Sequence, residues 1–125
     1  MSHRVLIADD AAYMREMLRD ILSQGGYEIV AEASDGDEAV QAYREHRPDL
    51  VTLDIVMPRK SGLDALREMI AEDPGASVVI CSALGQEALV KDMMNSGAKG
   101  YLVKPFKPDQ VLEVVGMVMD EKKEA

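Results

Sequence analysis

Apolar positions along the chain alternate between two rhythms. Short apolar runs stand at Arg4 to Ala8, Ile29 to Ala33, Leu50 to Asp54, Val78 to Cys81 and Tyr101 to Val103. Each is bounded by charged or turn-forming residues and reads as a strand. Between them the apolar residues recur three and four positions apart, the spacing of one helix face. Met14, Met17, Leu18, Ile21 and Leu22 predict a helix from about Ala11 to Gln24, stopped by Gly25-Gly26. Ser34-Asp35-Gly36 is a turn with capping side chains, and a helix follows to about Arg44 with Ala39, Val40 and Tyr43 inward. Leu63, Leu66, Met69 and Ile70 mark a third helix, broken by Asp73-Pro74-Gly75. Leu89, Val90, Met93 and Met94 mark a fourth, over Glu87 to Ser96, ended by Gly97. Pro108 suits a first helical turn, and Val111, Val114, Val115, Val118 and Met119 stripe the last helix. The charged tail from Asp120 to Ala125 is expected to fray.

Strand and helix thus alternate five times with short connections, and neither a linker nor an internal repeat interrupts them. The expected architecture is a single α/β domain over residues 1–125, a doubly wound parallel sheet with helices on both faces. Glu28 and Glu32 flank the weak strand at Ile29 to Ala33 and place it at a sheet edge.

Composition narrows the chemistry. A chain of 125 residues can bury a core without staples, and with nine Met and no Trp that core is aliphatic. Fourteen Lys and Arg against 23 Asp and Glu give a net charge of −9, which argues against nucleic-acid or anionic-membrane partners and favours metal ions or basic protein faces. The single cysteine, Cys81, lies in an apolar run and reads as a small buried thiol. The first apolar run is too short for a secretion signal and no segment reaches transmembrane length, so a cytoplasmic location is expected.

Asp9, Asp10, Asp54, Ser82 and Lys104 each follow or end a predicted strand. In a parallel sheet all five share the C-terminal edge, where ligands bind in open α/β folds. Asp54 in particular is expected where its strand emerges, because a charge is rarely buried. Crowded carboxylates repel unless a cation intervenes. Lys104 is one such cation and a divalent ion is another; hard oxygen ligands suit Mg²⁺. A carboxylate can attack phosphorus to give an aspartyl phosphate, a step that rests on positioning and charge neutralisation.

Four motifs carry a family resemblance: Asp9-Asp10, Asp54-Ile-Val-Met-Pro58 with Gly62, Ser82-Ala83, and Lys104-Pro105-Phe106. In this order and spacing the chain resembles the receiver domains of two-component response regulators. Asp9-Asp-Ala-Ala-Tyr-Met14 and Cys81-Ser-Ala-Leu-Gly-Gln86 point to the single-domain chemotaxis members. The resemblance implies a flavodoxin-like (βα)5 fold with strand order 2-1-3-4-5. It implies Asp54 as phosphoacceptor, with Asp10, Asp54 and the main-chain carbonyl of Val56 as direct ligands of one Mg²⁺, Mn²⁺ being able to substitute. Asp9 would act through metal-bound water, and Lys104 would pair with phosphate and carboxylate before a cis Lys104-Pro105 peptide. Ser82 and Tyr101 would form the switch pair. Without the resemblance, Lys104 reads as a salt bridge, Ser82 as a turn hydroxyl and Tyr101 as core.

The implied function is a phosphorylation-activated switch rather than an enzyme. Its expected partners are a histidine kinase as donor, a flagellar motor switch protein and a separate phosphatase. The motor protein would dock on a face made by the fourth helix, fifth strand and last helix, with Val90, Tyr101 and Phe106 as candidates. The chain is expected to be monomeric. Alternatives are a phosphorelay receiver that passes its phosphoryl group to a histidine phosphotransferase, and the receiver of a DNA-binding regulator. Val56 stands where many relatives carry a polar side chain, and Leu84 is apolar too; together they would shield the phosphoryl group and leave nothing to orient an attacking water. His3 and His46 read as surface residues, and Arg59 and Lys60 as solvated loop charges or steering groups for a phosphodonor.

Overall fold

A computed structural model describes residues 3–124 of the protein. Five strands, β1 (Arg4–Ala8), β2 (Glu28–Ala33), β3 (Leu50–Asp54), β4 (Val78–Ser82) and β5 (Gly100–Val103), alternate with five helices. The helices are α1 (Ala12–Gln24), α2 (Gly36–His46), α3 (Gly62–Glu72), α4 (Glu87–Asn95) and α5 (Pro108–Glu124). All neighbouring strands are parallel, in the order β2-β1-β3-β4-β5. The fold is therefore the expected flavodoxin-like doubly wound sheet, with polar β2 at one edge.

Two apolar cores sandwich the sheet. On one face Leu6, Val51, Leu53 and Ile80 meet Ala39, Val40 and Tyr43 of α2, Leu66 and Met69 of α3 and Met93 of α4. On the other, Val5, Ile7, Leu50 and Val79 meet Leu18, Ile21 and Leu22 of α1 and Val111, Val115 and Val118 of α5. The central strands β3 and β4 are buried along their whole length, as parallel strands covered on both faces must be. Helix ends follow the sequence: the Asp35 side chain accepts from the Glu38 N–H at 2.8 Å and Ser61 Oγ from the Asp64 N–H at 3.2 Å.

Some stripe positions differ. Met17 and Leu89 are exposed, because α1 and α4 bury a narrower strip than their apolar spacing suggests. The tail does not fray at Asp120: α5 continues through Glu124, anchored by buried Val118 and Met119, and Lys122 Nζ donates to the Asp49 carbonyl at 3.1 Å. Ala125 lies outside the described residues.

Thr52, mid-strand in β3, is fully buried, and its hydroxyl has no hydrogen-bond partner. Leaving a hydroxyl unpaired in an apolar core costs roughly 1–3 kcal/mol. Thr52→Val keeps the shape and removes that cost, so its urea midpoint should rise, by about 1 kcal/mol of stability. A midpoint below that of the wild type would show that the hydroxyl has a partner in solution.

Candidate phosphoacceptor site

Asp9, Asp10, Asp54, Ser82 and Lys104 converge at the C-terminal edge of the sheet. β1 and β3 are adjacent, so the residues that follow Ala8 and end at Asp54 are brought side by side. One carboxylate oxygen from each of Asp9, Asp10 and Asp54 lies within 4.8 Å of the others. Asp10 is exposed, but Asp54 is only 7% exposed and Asp9 only 1%. Asp54 ends β3 at the C-terminal edge, as expected, but it is buried there rather than reaching solvent, and Ile55 and Met57 in the loop that follows are buried as well.

Lys104, just after β5, makes this burial tolerable. Its ammonium lies 2.9 Å from Asp9 Oδ2 and 3.3 Å from Asp54 Oδ1. Burial disfavours the charge on Lys104, but the two carboxylates outweigh it and hold its pKa above the ordinary lysine value. Asp54 is pushed the other way. Burial first, and the neighbouring Asp9 charge second, raise its pKa to about 6 despite the opposing pull of Lys104. One cation for three acids leaves the cluster short of positive charge.

Asp9 is held at every polar atom but one. Its N–H donates to the Ala33 carbonyl at 3.0 Å, its Oδ1 accepts from the Ala11 N–H at 2.9 Å, and its carbonyl accepts from Arg15 Nη1 at 2.6 Å. Oδ2 is buried and makes no hydrogen bond, with only the ion pair to Lys104 beside it. Three acidic groups offering hard oxygen atoms within reach of one point, with the Lys104 ammonium against two of them, fit a divalent cation of the Mg²⁺ kind.

The surrounding loops are packed to hold this geometry. Gly62 opens α3 directly against the end of β3: its N–H donates to the Ile55 carbonyl at 2.8 Å, and a Cβ there would fall 2.2 Å from the Asp54 carbonyl oxygen. Gly36 similarly leaves room for the Lys60 carbonyl. Lys60 is no free loop charge: it pairs with Asp37 at 3.2 Å and with Glu68. Arg59 lies 3.6 Å from Asp35. The Lys104–Pro105 peptide is cis.

Ser82 is buried and its hydroxyl donates to the Leu102 carbonyl at 3.3 Å, away from the carboxylates. Tyr101 is 50% exposed and borders a hollow of about 280 Å³ lined also by Ser82, Leu84, Val90 and Val103. Phe106, expected on the docking face, is only 8% exposed and packs into the α1–α5 core, its ring following the chain inward with Val111 and Val115. Cys81 is buried, and burial pushes its thiol pKa up, so it is an inert core residue. His3 stacks on Tyr27 and is remote in sequence from His46. Arg15 and Ala11, both in contact with Asp9, are not singled out by the sequence reading. An arginine one helical turn beyond an acidic pair is the signal that could have found the first.

Residues 5–116 match the sequence model of the response regulator receiver domain. The chemotaxis protein CheY of Thermotoga maritima is 50% identical over 118 residues, covering 94% of this chain and 98% of that protein. CheY of Bacillus subtilis is 50% identical over 120 residues, covering 96% and 100%. A crystal structure of a CheX–CheY–BeF3–Mg²⁺ complex from Borrelia burgdorferi superposes with a TM-score of 0.89 at 42% identity, over 93% of this chain and 88% of that one.

Proposed function

The chain belongs to the response regulator receiver domain family, and on that premise we propose that it is a chemotaxis switch driven by phosphorylation of Asp54. The observation that carries this reading is the buried Asp54 carboxylate set between Lys104 and the acids Asp9 and Asp10. Asp54 attacks the phosphorus of a kinase phosphohistidine; the phosphorus–nitrogen bond breaks, and the departing imidazole takes a proton. Asp10, Asp54 and the Val56 carbonyl would hold one Mg²⁺, with Mn²⁺ able to replace it, and Asp9 would act through its water. The ion supplies positive charge to the phosphoryl oxygens. Lys104 neutralises them from the other side.

The output follows from two side chains. The Ser82 hydroxyl, now given to the Leu102 carbonyl, turns to the phosphoryl group, and Tyr101 moves from solvent into the hollow beside it. That changes the surface of α4, β5 and α5, where Val90 is half-buried and Tyr101 exposed. A flagellar motor switch protein docks there, in the cytoplasm. Among the described residues no helix is long and apolar enough to cross a membrane. The test is binding of a motor-switch peptide to the protein with and without beryllofluoride and Mg²⁺. The activated form should bind roughly tenfold or more tightly, about 1.4 kcal/mol. Equal affinity in both states would overturn the assigned output.

The phosphoryl group should be long-lived. Val56 is 58% and Leu84 83% exposed, so they do not seal the site; they act by offering attacking water no hydrogen bond. One orienting hydrogen bond of about 1–1.5 kcal/mol is worth roughly tenfold in rate. Val56→Asn with Leu84→Glu should therefore lose phosphate about ten times faster at equal Mg²⁺. A double variant that decays no faster would place control of the lifetime elsewhere. Slow intrinsic loss requires a separate phosphatase to reset the switch.

A further inference from the structure

Arg15 lies on α1, outside every motif that identifies the family site, yet it touches that site through the main chain. Its Nη1 donates to the Asp9 carbonyl at 2.6 Å, and its Nε lies 3.4 Å from Glu32 Oε1 on the edge strand β2. Its side chain is 20% exposed and that of Glu32 28%. Glu32 also holds Arg19, at 2.6 Å. Arg15 therefore joins an acidic anchor on β2 to the peptide that links Asp9 to Asp10. A guanidinium donating to a carbonyl makes a charge-assisted bond, shorter and stronger than a neutral one. The planar fork also fixes direction in a way an ammonium does not.

Few contacts set the place of the Asp10 carboxylate. Asp10 is exposed, and no other residue contacts its side chain by a hydrogen bond or ion pair among the described residues. Its Cα is carried by the Asp9–Asp10 peptide, whose oxygen is the atom Arg15 holds. The Asp9 N–H, on the preceding peptide, is fixed to β2 and Asp9 Oδ1 to the next turn, and the carbonyl is the atom of the Asp9–Asp10 peptide plane that a side chain holds. We infer that Arg15 is a positioning residue for the metal site: it holds the Asp9–Asp10 peptide so that the Asp10 carboxylate faces Asp9 and Asp54. This rests on the reading of those acids as the Mg²⁺ site.

The sign of the effect separates positioning from simple electrostatics. Arg15 is a positive charge close to a cation site. If charge were all that mattered, removing it would tighten Mg²⁺ binding. If Arg15 positions the acids, removing it weakens binding. Arg19 provides the control, since it shares Glu32 but makes no contact with Asp9.

The experiment is calorimetric titration of the full chain with Mg²⁺ alone, for wild type, Arg15→Gln and Arg19→Gln, with folding checked by circular dichroism. Arg15→Gln should weaken Mg²⁺ binding roughly five- to tenfold, tenfold being about 1.4 kcal/mol, and Arg19→Gln should leave it within about twofold. Arg15→Lys, which keeps the charge and loses the fork, should fall between Arg15→Gln and wild type. Unchanged or tighter binding in Arg15→Gln, or equal weakening in Arg19→Gln, would overturn the positioning role while leaving the metal site standing. Wild-type protein that binds no Mg²⁺ would overturn both.

Discussion

In metal-free protein at neutral pH, Asp54→Asn should be more stable than the wild type, by about 1–3 kcal/mol, and should accept no phosphoryl group. The stability gain comes from the raised pKa of Asp54, about 6 against an ordinary 3.8, caused by burial and then by Asp9. Between these two values the folded state binds more protons than the unfolded chain, so stability falls as pH rises through that window. Above about pH 6 the full cost of an ionised, buried Asp54 is present; below about pH 4 it is gone. The advantage of the Asp54→Asn variant should therefore be large at pH 7 and vanish toward pH 4. Urea titrations in EDTA at both pH values measure it. Mg²⁺ should raise the melting temperature of the wild type more than that of the variant, because part of what it relieves is this repulsion. An Asp54→Asn protein less stable than wild type at pH 7 in EDTA would mean that attraction by Lys104 outweighs burial.

Alanine substitution at two glycines should have opposite signs. At Gly62 a Cβ meets the Asp54 carbonyl oxygen at 2.2 Å and Ile55 Cα at 2.9 Å, both backbone atoms that cannot step aside. Forcing them apart should cost about 3 kcal/mol, the upper part of the range for overpacking. It also pushes on the residue that bears the acceptor, so phosphorylation should slow in whatever folded protein remains. At Gly116, inside α5, a Cβ meets nothing within 4 Å. There Gly116→Ala should stabilise by about 0.5–1 kcal/mol through helix propensity. Urea midpoints of the two variants test this pair. A Gly62→Ala protein within about 0.5 kcal/mol of wild type would show that the α3 N-terminus yields more easily than its contacts imply.

The fold is highly legible because each element carries a local signal. The five apolar runs are strands to within a residue, and Gly25, Asp35 and Pro108 mark helix ends, while the Ser61 cap of α3 is seen only in the structure. Strand order comes from the resemblance, since periodicity says nothing of which strands are neighbours. Depth of burial is less legible. Met17 and Leu89 fit their helical stripes but sit on the margins of what α1 and α4 cover. Asp54 reads as a carboxylate at the emerging end of its strand, yet it is buried, and Asp9 beside it is buried still more completely. What permits it is Lys104, supplied from beyond β5 far along the sequence; the sequence placed it beside the acids, but not how deeply the three groups would be buried together. Nor does it show the surroundings of Lys60, whose partners come from α2 and α3, or of Phe106, whose ring turns into the α1–α5 core. Arg15 falls outside the side-chain motifs because its contact is with a main-chain oxygen, and only its place one helical turn beyond the acidic pair points to it.

The central claim is that Asp54 is the single acceptor in a Mg²⁺-dependent site, and peptide mapping by mass spectrometry after incubation with acetyl phosphate tests it most directly. One phosphoryl adduct per chain is expected, on the peptide bearing Asp54, stable to acid and labile to base. That adduct should be lost in EDTA and in Asp54→Asn. An adduct on another residue, or labelling that persists unchanged without Mg²⁺ or without the Asp54 carboxylate, would contradict it.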